Sequence, residues 1–363
     1  MLSAVELGDF TTHDPDTLHP RFLEYVHERI QTVDTGIHSV MKSAQRVMSK
    51  LWTSHGVKAA ARPLSDAAPD LLLKLLNPGS PGEYRMLGAE RRTDPALVAT
   101  MSASLTRYHG AAQRVIKSGR TPNWVSTTMQ PTLSFGKNEP KAAKILDGNV
   151  VKPIPRFIFN LSPINYALAV FLHSDVSKEL QLKDPTHGPG YGPGRGRSGK
   201  LIDLVSSSLG SGFKANTGNF IMTDISKWDA NMSEALIGYS FDLLESAVDK
   251  SNLDNVSLAA RGLMLSVARR QLMEKLLEHP SGYLVRLFGC MPSGSYYTSL
   301  LNTIANDLLA IGYLISEMVK IGYTPDGAVN DALASIDGSL LSYGDNQLIA
   351  ERMFLDNGIP YNP

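Results

Sequence analysis

The chain of 363 residues contains one cysteine, Cys290, and its aromatic residues make up only 7% of the whole. A single cysteine excludes an internal disulfide framework and every cysteine-based zinc site, and it fits a reducing compartment such as the cytosol. An excess of charge is missing as well, because Lys plus Arg and Asp plus Glu number 35 each. The broad basic signature of a protein that coats nucleic acid is therefore absent, and any nucleic-acid contact must come from local patches. No run approaches the roughly 18 or more apolar residues that span a bilayer, and the start, MLSAVELGDFTTHD, has neither a basic stretch nor an apolar signal core. The expectation is a soluble, unexported chain. The nine histidines show no metal-site spacing. What is present is 43% hydrophobic residues, enough for a proper core over a length that suits one large or two ordinary domains.

Apolar residues at helical spacing from about Pro20 to Trp52 (Phe22, Val26, Ile30, Val33, Ile37, Val40, Met41, Val47), and again from Asp70 to Leu76 and Ala96 to Ile116, predict a largely helical first third. From Asn149 to Leu161 the pattern becomes β-rich and proline-interrupted, with Pro153 and Pro155 favouring an edge or extended segment, and Pro163 to Leu180 returns to helix. Asp184 to Lys200, DPTHGPGYGPGRGRSGK, is dominated by Gly, Pro and Arg and predicts a mobile or ligand-ordered loop at a subdomain hinge. After it the pattern predicts a strand at Asn219 to Ile225 and helices at about Glu234 to Val248 and Ser257 to Leu277. A strand near Tyr283 to Phe288 and a helix from Tyr297 to Met318 follow. ASIDGSLLSYGDNQLIAE reads as two short strands meeting at a Gly344-Asp345-Asn346 turn, which presents a carboxylate at a hairpin tip.

Four segments carry chemistry. MTDISKWDANMS puts Asp224 at the end of an apolar strand and Asp229 five residues later; a capped strand-to-helix turn is the ordinary alternative. GCMPSGSYYTSLLNTIAND carries Ser293, Gly294, Thr298 and Asn302, and residues 298 and 302 share one helix face, where two hydrogen-bonding side chains can read a ribose hydroxyl. SYGDNQLI sets Asp345 and Asn346 on a turn, and Gly-Asp-Asn is also good chemistry for a turn with no other role. Asp224 and Asp345 brought side by side would hold two Mg²⁺ ions about 3.5–4 Å apart, an arrangement that activates a 3′-hydroxyl and stabilises a pyrophosphate leaving group. SFGKNEPKAAKILDGNVVKPIPRFIF supplies Lys137, Lys141, Lys144, Lys152 and Arg156. A solvated charged face is one reading; the other is that Lys152 and Arg156 neutralise an incoming triphosphate, Arg being suited to bidentate phosphate contact.

In order and spacing, these segments resemble motifs F, A, B and C of viral RNA-dependent RNA polymerases: KxE…K…R, DxxxxD, SGxxxTxxxN and GD(D/N). The resemblance spans about Lys137 to Leu348. It looks most similar to the picornavirus and calicivirus supergroup, and polymerases of double-stranded RNA viruses share the same elements. It implies an α+β right-hand polymerase with helical fingers over 1–218 (motif F at about 135–160, Gly/Arg loop 184–200). The palm would occupy 219–363, with an antiparallel sheet carrying motifs A (222–233), B (289–306) and C (342–349) and a fingers-proximal helical insertion at 234–280. Asp224, Asp345 and Asn346 would be catalytic, and Asp224, Asp345 and the carbonyl of Ile225 would bind metal. Asp229 and Asn302, helped by Ser293 and Thr298, would select ribonucleotides; Gly294 would let the loop flex; Arg156 and Lys152 would hold the triphosphate. The implied cofactor is Mg²⁺, with Mn²⁺ as alternative. Implied partners are an RNA template and nascent strand, ribonucleoside triphosphates and other viral replication proteins, in the host cytoplasm. Contact of Arg195 and Arg197 with an RNA backbone is a separate expectation from their charge.

Two departures stand out. Asn346 occupies the place of a second Asp, as in polymycoviruses and negative-strand polymerases, which keeps an oxygen but loses a charge and predicts weaker Mg²⁺ affinity or a preference for Mn²⁺. Only 17 residues follow Asn346, so a thumb is expected to be absent or truncated and isolated activity weak. GRGRSGK (Gly194 to Lys200) nearly completes a phosphate-binding loop, but Leu201 stands at the hydroxyl position and no apolar strand precedes it. The GxGxxG of Gly194, Gly196 and Gly199 fails a dinucleotide context for the same reason. A reverse transcriptase is disfavoured by Ser293, Thr298 and Asn302, and Cys290 reads as a small buried residue rather than a nucleophile. A non-catalytic or degenerate polymerase-like RNA-binding protein stays as the main alternative.

Overall fold

The computed structural model describes residues 8–11, 14–28, 34–127, 131–142, 144–146, 149–151, 154–190, 198–209 and 220–360. The chain starts with β1 (Gly8–Phe10), α1 (Pro15–Leu23) and α2 (Thr35–Ser54), then β2 (Ala59–Ala60), α3 (Pro69–Leu73), α4 (Pro95–Ser118) and α5 (Asn123–Thr127). The apolar pattern from Pro20 to Trp52 falls on two helices. Asp34 starts the second by accepting hydrogen bonds from the N–H groups of Gly36 and Ile37, a capping signal that the continuous periodicity hides. Next come β3 (Thr132–Gly136), the short strands β4 (Pro140–Ala142), β5 (Lys144–Leu146) and β6 (Asn149–Val151), β7 (Phe157–Asn160), and α6 (Pro163–Lys183). Pro163 in the first turn and the Ser162 cap set the start of α6.

The second half holds α7 (Gly199–Leu209), β8 (Phe220–Asp224), α8 (Trp228–Asn231), α9 (Glu234–Ser246), β9 (Val248–Asp249) and α10 (Asn255–Met273). It continues with β10 (Glu274–Glu278), β11 (Leu284–Phe288), α11 (Thr298–Lys320), α12 (Pro325–Ile336), β12 (Leu340–Tyr343), β13 (Asn346–Ala350) and α13 (Arg352–Leu355). The helix expected to run to Leu277 stops at Met273. Residues 274–278 pair antiparallel with β11 and alternate buried and half-buried, a period of two that wins over the short apolar run. Helix α12 went unread, although a Thr324 cap and Pro325 in its first turn announce it.

Two sheets matter for the site: β12-β13-β8, all antiparallel, and β11-β10-β3-β7. Helix α11 is the central support. It packs against α2, α9, α12 and β12, and its Leu301, Ile304, Leu308, Ile311 and Leu314 are fully buried, each worth roughly 1.5–3 kcal/mol of apolar burial. By length and composition α11 could cross a membrane, contrary to the expectation that no run would. Its most apolar window is 72% buried inside the protein, as in a core helix. Helix α10 packs on α4 and α6, and α9 on α2, all in the first half of the chain.

The Gly/Pro/Arg segment is only partly the loop that its composition predicts. Thr186 and His187 are buried, and residues 186–188 run beside β12, where Ser342 N–H donates to the Thr186 carbonyl (2.9 Å) and Gly188 N–H to the Ser342 carbonyl (2.8 Å). Arg195 and Arg197 lie outside the described residues.

A carboxylate-bearing hairpin as candidate active site

In β8 the alternation of FIMTD turns Ile221 and Thr223 inward, so Phe220, Met222 and Asp224 share the open face of the sheet. In β13 Gln347 and Ile349 are buried, leaving Asn346 and Leu348 on that same face. The register places Asn346 directly opposite Asp224, and Ile225 N–H donates to the Asp345 carbonyl (3.3 Å). Two residues, Gly344 and Asp345, close the turn between β12 and β13, with Gly344 at φ +65°. Asp224, Asp345, Asn346 and the Ile225 backbone therefore meet at one sheet end. Asn346 Nδ2 donates to Asp345 Oδ1 (3.0 Å), so the NH₂ half of its amide braces the neighbouring carboxylate.

Asp229 lies on α8, beyond the strand. Its carboxylate accepts from Ser293 Oγ and from Asn302 Nδ2 (2.6 Å), which unites the second aspartate with two of the polar residues expected to join it. Burial pushes the Asp229 carboxyl above its ordinary value, and the negative charge of Asp345 adds to this, against the two hydrogen bonds. Asn302 Oδ1 is buried and has no hydrogen-bond partner. Thr298 is not part of this cluster. Its hydroxyl donates to the carbonyls of Pro292 (2.9 Å) and Ser295 (3.1 Å) and secures the first turn of α11.

The loop before α11 is fastened on two sides. Met291 N–H donates to the Asp229 carbonyl (2.7 Å) and Cys290 N–H to that of Met232 (2.6 Å), while Ser293 accepts from Phe159 N–H in β7 (2.8 Å). Gly294, expected as a flexing point, sits at φ +117°, and a Cβ there would lie 2.5 Å from the Phe159 carbonyl oxygen. The glycine is demanded by close approach. Cys290 is buried, and burial pushes its thiol up, which suits a packing role.

Upstream, Glu139 joins Lys137 (3.0 Å) and Arg156 (2.9 Å), and Lys137 N–H donates to the Arg156 carbonyl (3.0 Å). The Arg156 side chain is still 67% exposed, so it retains capacity for an anion. Lys152 lies outside the described residues, as do the side chains of Lys141 and Lys144.

Residues that the sequence reading missed support the turn from below. Thr303 Oγ1 accepts the Gly344 N–H (2.9 Å) and Asn306 Nδ2 donates to the Gly344 carbonyl (3.1 Å). Asp307 accepts from Ser342 (2.5 Å) and Thr186 (3.1 Å), and Thr186 also donates to Asp184 (2.9 Å). Burial holds the carboxyls of Asp184 and Asp307 above their ordinary range, well above it for Asp307, and the Lys200 ammonium beside them is held by the carbonyls of Leu180, Asp184 and His187. The signal was available: Asn302, Thr303, Asn306 and Asp307 interrupt the otherwise mostly apolar run from Leu300 to Ile315.

Among the described residues no group of three or more His, Cys, Asp or Glu could hold a metal ion by itself. Two carboxylates at one sheet end still fit Mg²⁺, which is commonly bound through one or two carboxylates with substrate phosphates and water completing its shell. A search of curated proteins finds no match to this chain. The family model described as viral RNA-dependent RNA polymerase matches residues 191–357, a span that contains β8, the 289–297 loop, α11 and the carboxylate-bearing hairpin. Over those residues the chain carries a domain of the viral RNA-dependent RNA polymerase family.

Proposed function

We propose that the chain catalyses template-directed addition of ribonucleotides to an RNA 3′-end, in replication or transcription of a viral genome in the host cytoplasm. The observation that carries this reading is the register of β8 and β13, which sets Asp224 beside the turn holding Asp345, next to the Asp229, Ser293 and Asn302 cluster. In this reading Asp224, Asp345 and the Ile225 carbonyl hold Mg²⁺, or Mn²⁺ in its place. The bound ions would supply charge to activate the 3′-hydroxyl and to stabilise pyrophosphate as it leaves. Asp229 and Ser293 fix the Asn302 amide so that its unpartnered Oδ1 accepts the 2′-hydroxyl of an incoming nucleotide. Arg156, braced by Glu139 and joined by Lys152, holds the triphosphate. Residues 1–218 act as fingers and 219–363 as palm. Most of the rate enhancement then comes from positioning and from fixed charge.

The test is incorporation of labelled ribonucleotide on a primed RNA template by the chain in its native sequence context, with Mg²⁺ and Mn²⁺ tried separately and Mn²⁺ binding followed by electron paramagnetic resonance. Metal-dependent extension, with both extension and Mn²⁺ binding lost in Asp345→Ala, is expected. A folded chain that binds RNA but neither extends a primer nor loses Mn²⁺ in that variant would instead be a non-catalytic relative.

A further inference from the structure

A cavity of about 360 Å³ opens between the end of α3, the second half of α6, residues 187–189 and the start of α11, and none of the aspartates above lines it. Its size falls within the range of small-molecule sites, near the lower end. Lys74 and Lys178 are on its wall, and among the described residues no Asp or Glu is. Asp175, one turn before Lys178, is engaged by Arg62 at 2.7 Å and is 3.9 Å from the Lys178 ammonium. The cavity wall is therefore positive in a protein whose overall charge is zero.

Two more observations mark it as built to receive a polar molecule. Ser174 Oγ and His187 Nδ1 belong to wall residues that are only 7% and 1% exposed, and neither atom has a hydrogen-bond partner. A buried polar atom left unpaired costs about 1–3 kcal/mol, and a small rotation of either side chain toward a polar molecule in the cavity would recover that cost. Burial, with Lys200 nearby, pushes the His187 imidazole down to about 3, so this wall residue is neutral and its Nδ1 is a buried polar atom just behind the cavity surface. The rest of the wall is mixed: Tyr296 and Leu300 are apolar surfaces, and Gln181 and Asn77 carry amides.

We propose that this cavity is a second site, separate from the hairpin, that binds a nucleoside monophosphate. Lys74 and Lys178 take the phosphate, the serine and histidine take sugar or base polar atoms, and Tyr296 with Leu300 supplies the flat apolar wall that a base needs. A volume of about 360 Å³ suits one nucleotide and not a strand. The site touches the catalytic elements from behind, because His187 bridges to Ser342 of β12 and Tyr296 leads into α11.

Calorimetric titration of the chain with AMP, GMP, CMP and UMP in EDTA tests this, since chelation removes any divalent metal from the aspartates. Saturable binding is expected, kept in Asp224→Ala/Asp345→Ala and weakened about 10-fold or more in Lys74→Gln/Lys178→Gln and in Ser174→Ala. Melting temperature separates ligand loss from misfolding, because Ser174→Ala removes an unpaired buried hydroxyl and should leave stability equal or higher. Uncharged nucleosides and inorganic phosphate should each bind more weakly than the monophosphates. The proposal is overturned by absent binding, by affinity indifferent to the lysine and serine changes, by inorganic phosphate binding as tightly as a mononucleotide, or by a short RNA showing the same variant dependence.

Discussion

The Asn302 amide is satisfied on one side only. Its Nδ2 is committed to Asp229, and its Oδ1 is buried without a partner, a deficit that a ribose 2′-hydroxyl would satisfy. Asn302→Ala should therefore lose discrimination more than speed, with the preference for ribo- over deoxyribonucleotide falling by about 10-fold or more in kcat/KM ratios, since a site built to pair a hydroxyl is what rejects its absence. Unchanged discrimination would remove Asn302 from ribose reading. Asn346 invites a second residue-scale experiment. It donates to Asp345, so Asn346→Asp replaces a donor with a second negative charge. Activity in Mg²⁺ should rise relative to Mn²⁺; a ratio that does not move argues that residue 346 has no part in metal choice.

Helix α11 works as a ruler between the two halves of the site. Asn302 reaches Asp229, while Thr303 and Asn306, on neighbouring positions of the same helix, hold both backbone groups of Gly344. The turn bearing Asp345 is thus set against α8 through a single rigid element. Thr303→Val keeps shape and removes the acceptor for the Gly344 N–H. Faster hydrogen exchange at Gly344 and a several-fold higher metal concentration for half-maximal activity are expected, with Thr303→Ser restoring both. A variant with lowered melting temperature but unaltered metal dependence would mean the contact is only structural.

At the scale of the whole molecule, the first and second halves of the chain are joined by a buried polar chain. His173 of α6 is fully buried, pairs with the Tyr297 hydroxyl at the head of α11 (2.7 Å) and with Glu245 of α9 (2.9 Å), and Glu245 is gripped by Arg261 of α10. Burial holds the His173 imidazole down and neutral, so the pair with Glu245 is a hydrogen bond and not a pair of charges. For Glu245 burial alone would raise the carboxyl, but bonds from His173 and Arg261 bring it down from 4.5 to about 2. A depressed carboxylate adds stability that is present above its unfolded value and is lost as pH falls from about 4.5 to about 2. Chemical denaturation of the native protein should show that loss, on the order of 2–3 kcal/mol, and Glu245→Gln should flatten it while lowering stability at neutral pH. An identical acid limb in the variant would exclude Glu245 as its source.

Local chemistry was enough to read much of this protein. The strand ending in Asp224, the hairpin around Asp345 and the long helix from Thr298 each follow from periodicity and turn residues within a dozen positions. The meeting of Ser293 and Asn302 with Asp229 follows what the resemblance to a family implies for these three residues, and no local pattern in the sequence points to it. What sequence alone left undecided depended on distant partners. Thr298 and Asn302 share a helix face, but the preceding loop takes the Thr298 hydroxyl. The resemblance gives Gly294 a part in flexing of the loop, and only the approach of Phe159, 135 residues earlier in sequence, adds a packing requirement at this position. Residues 186–188 looked like part of a loop until β12 offered them backbone partners, and those partners come from strands that meet only once the chain has folded.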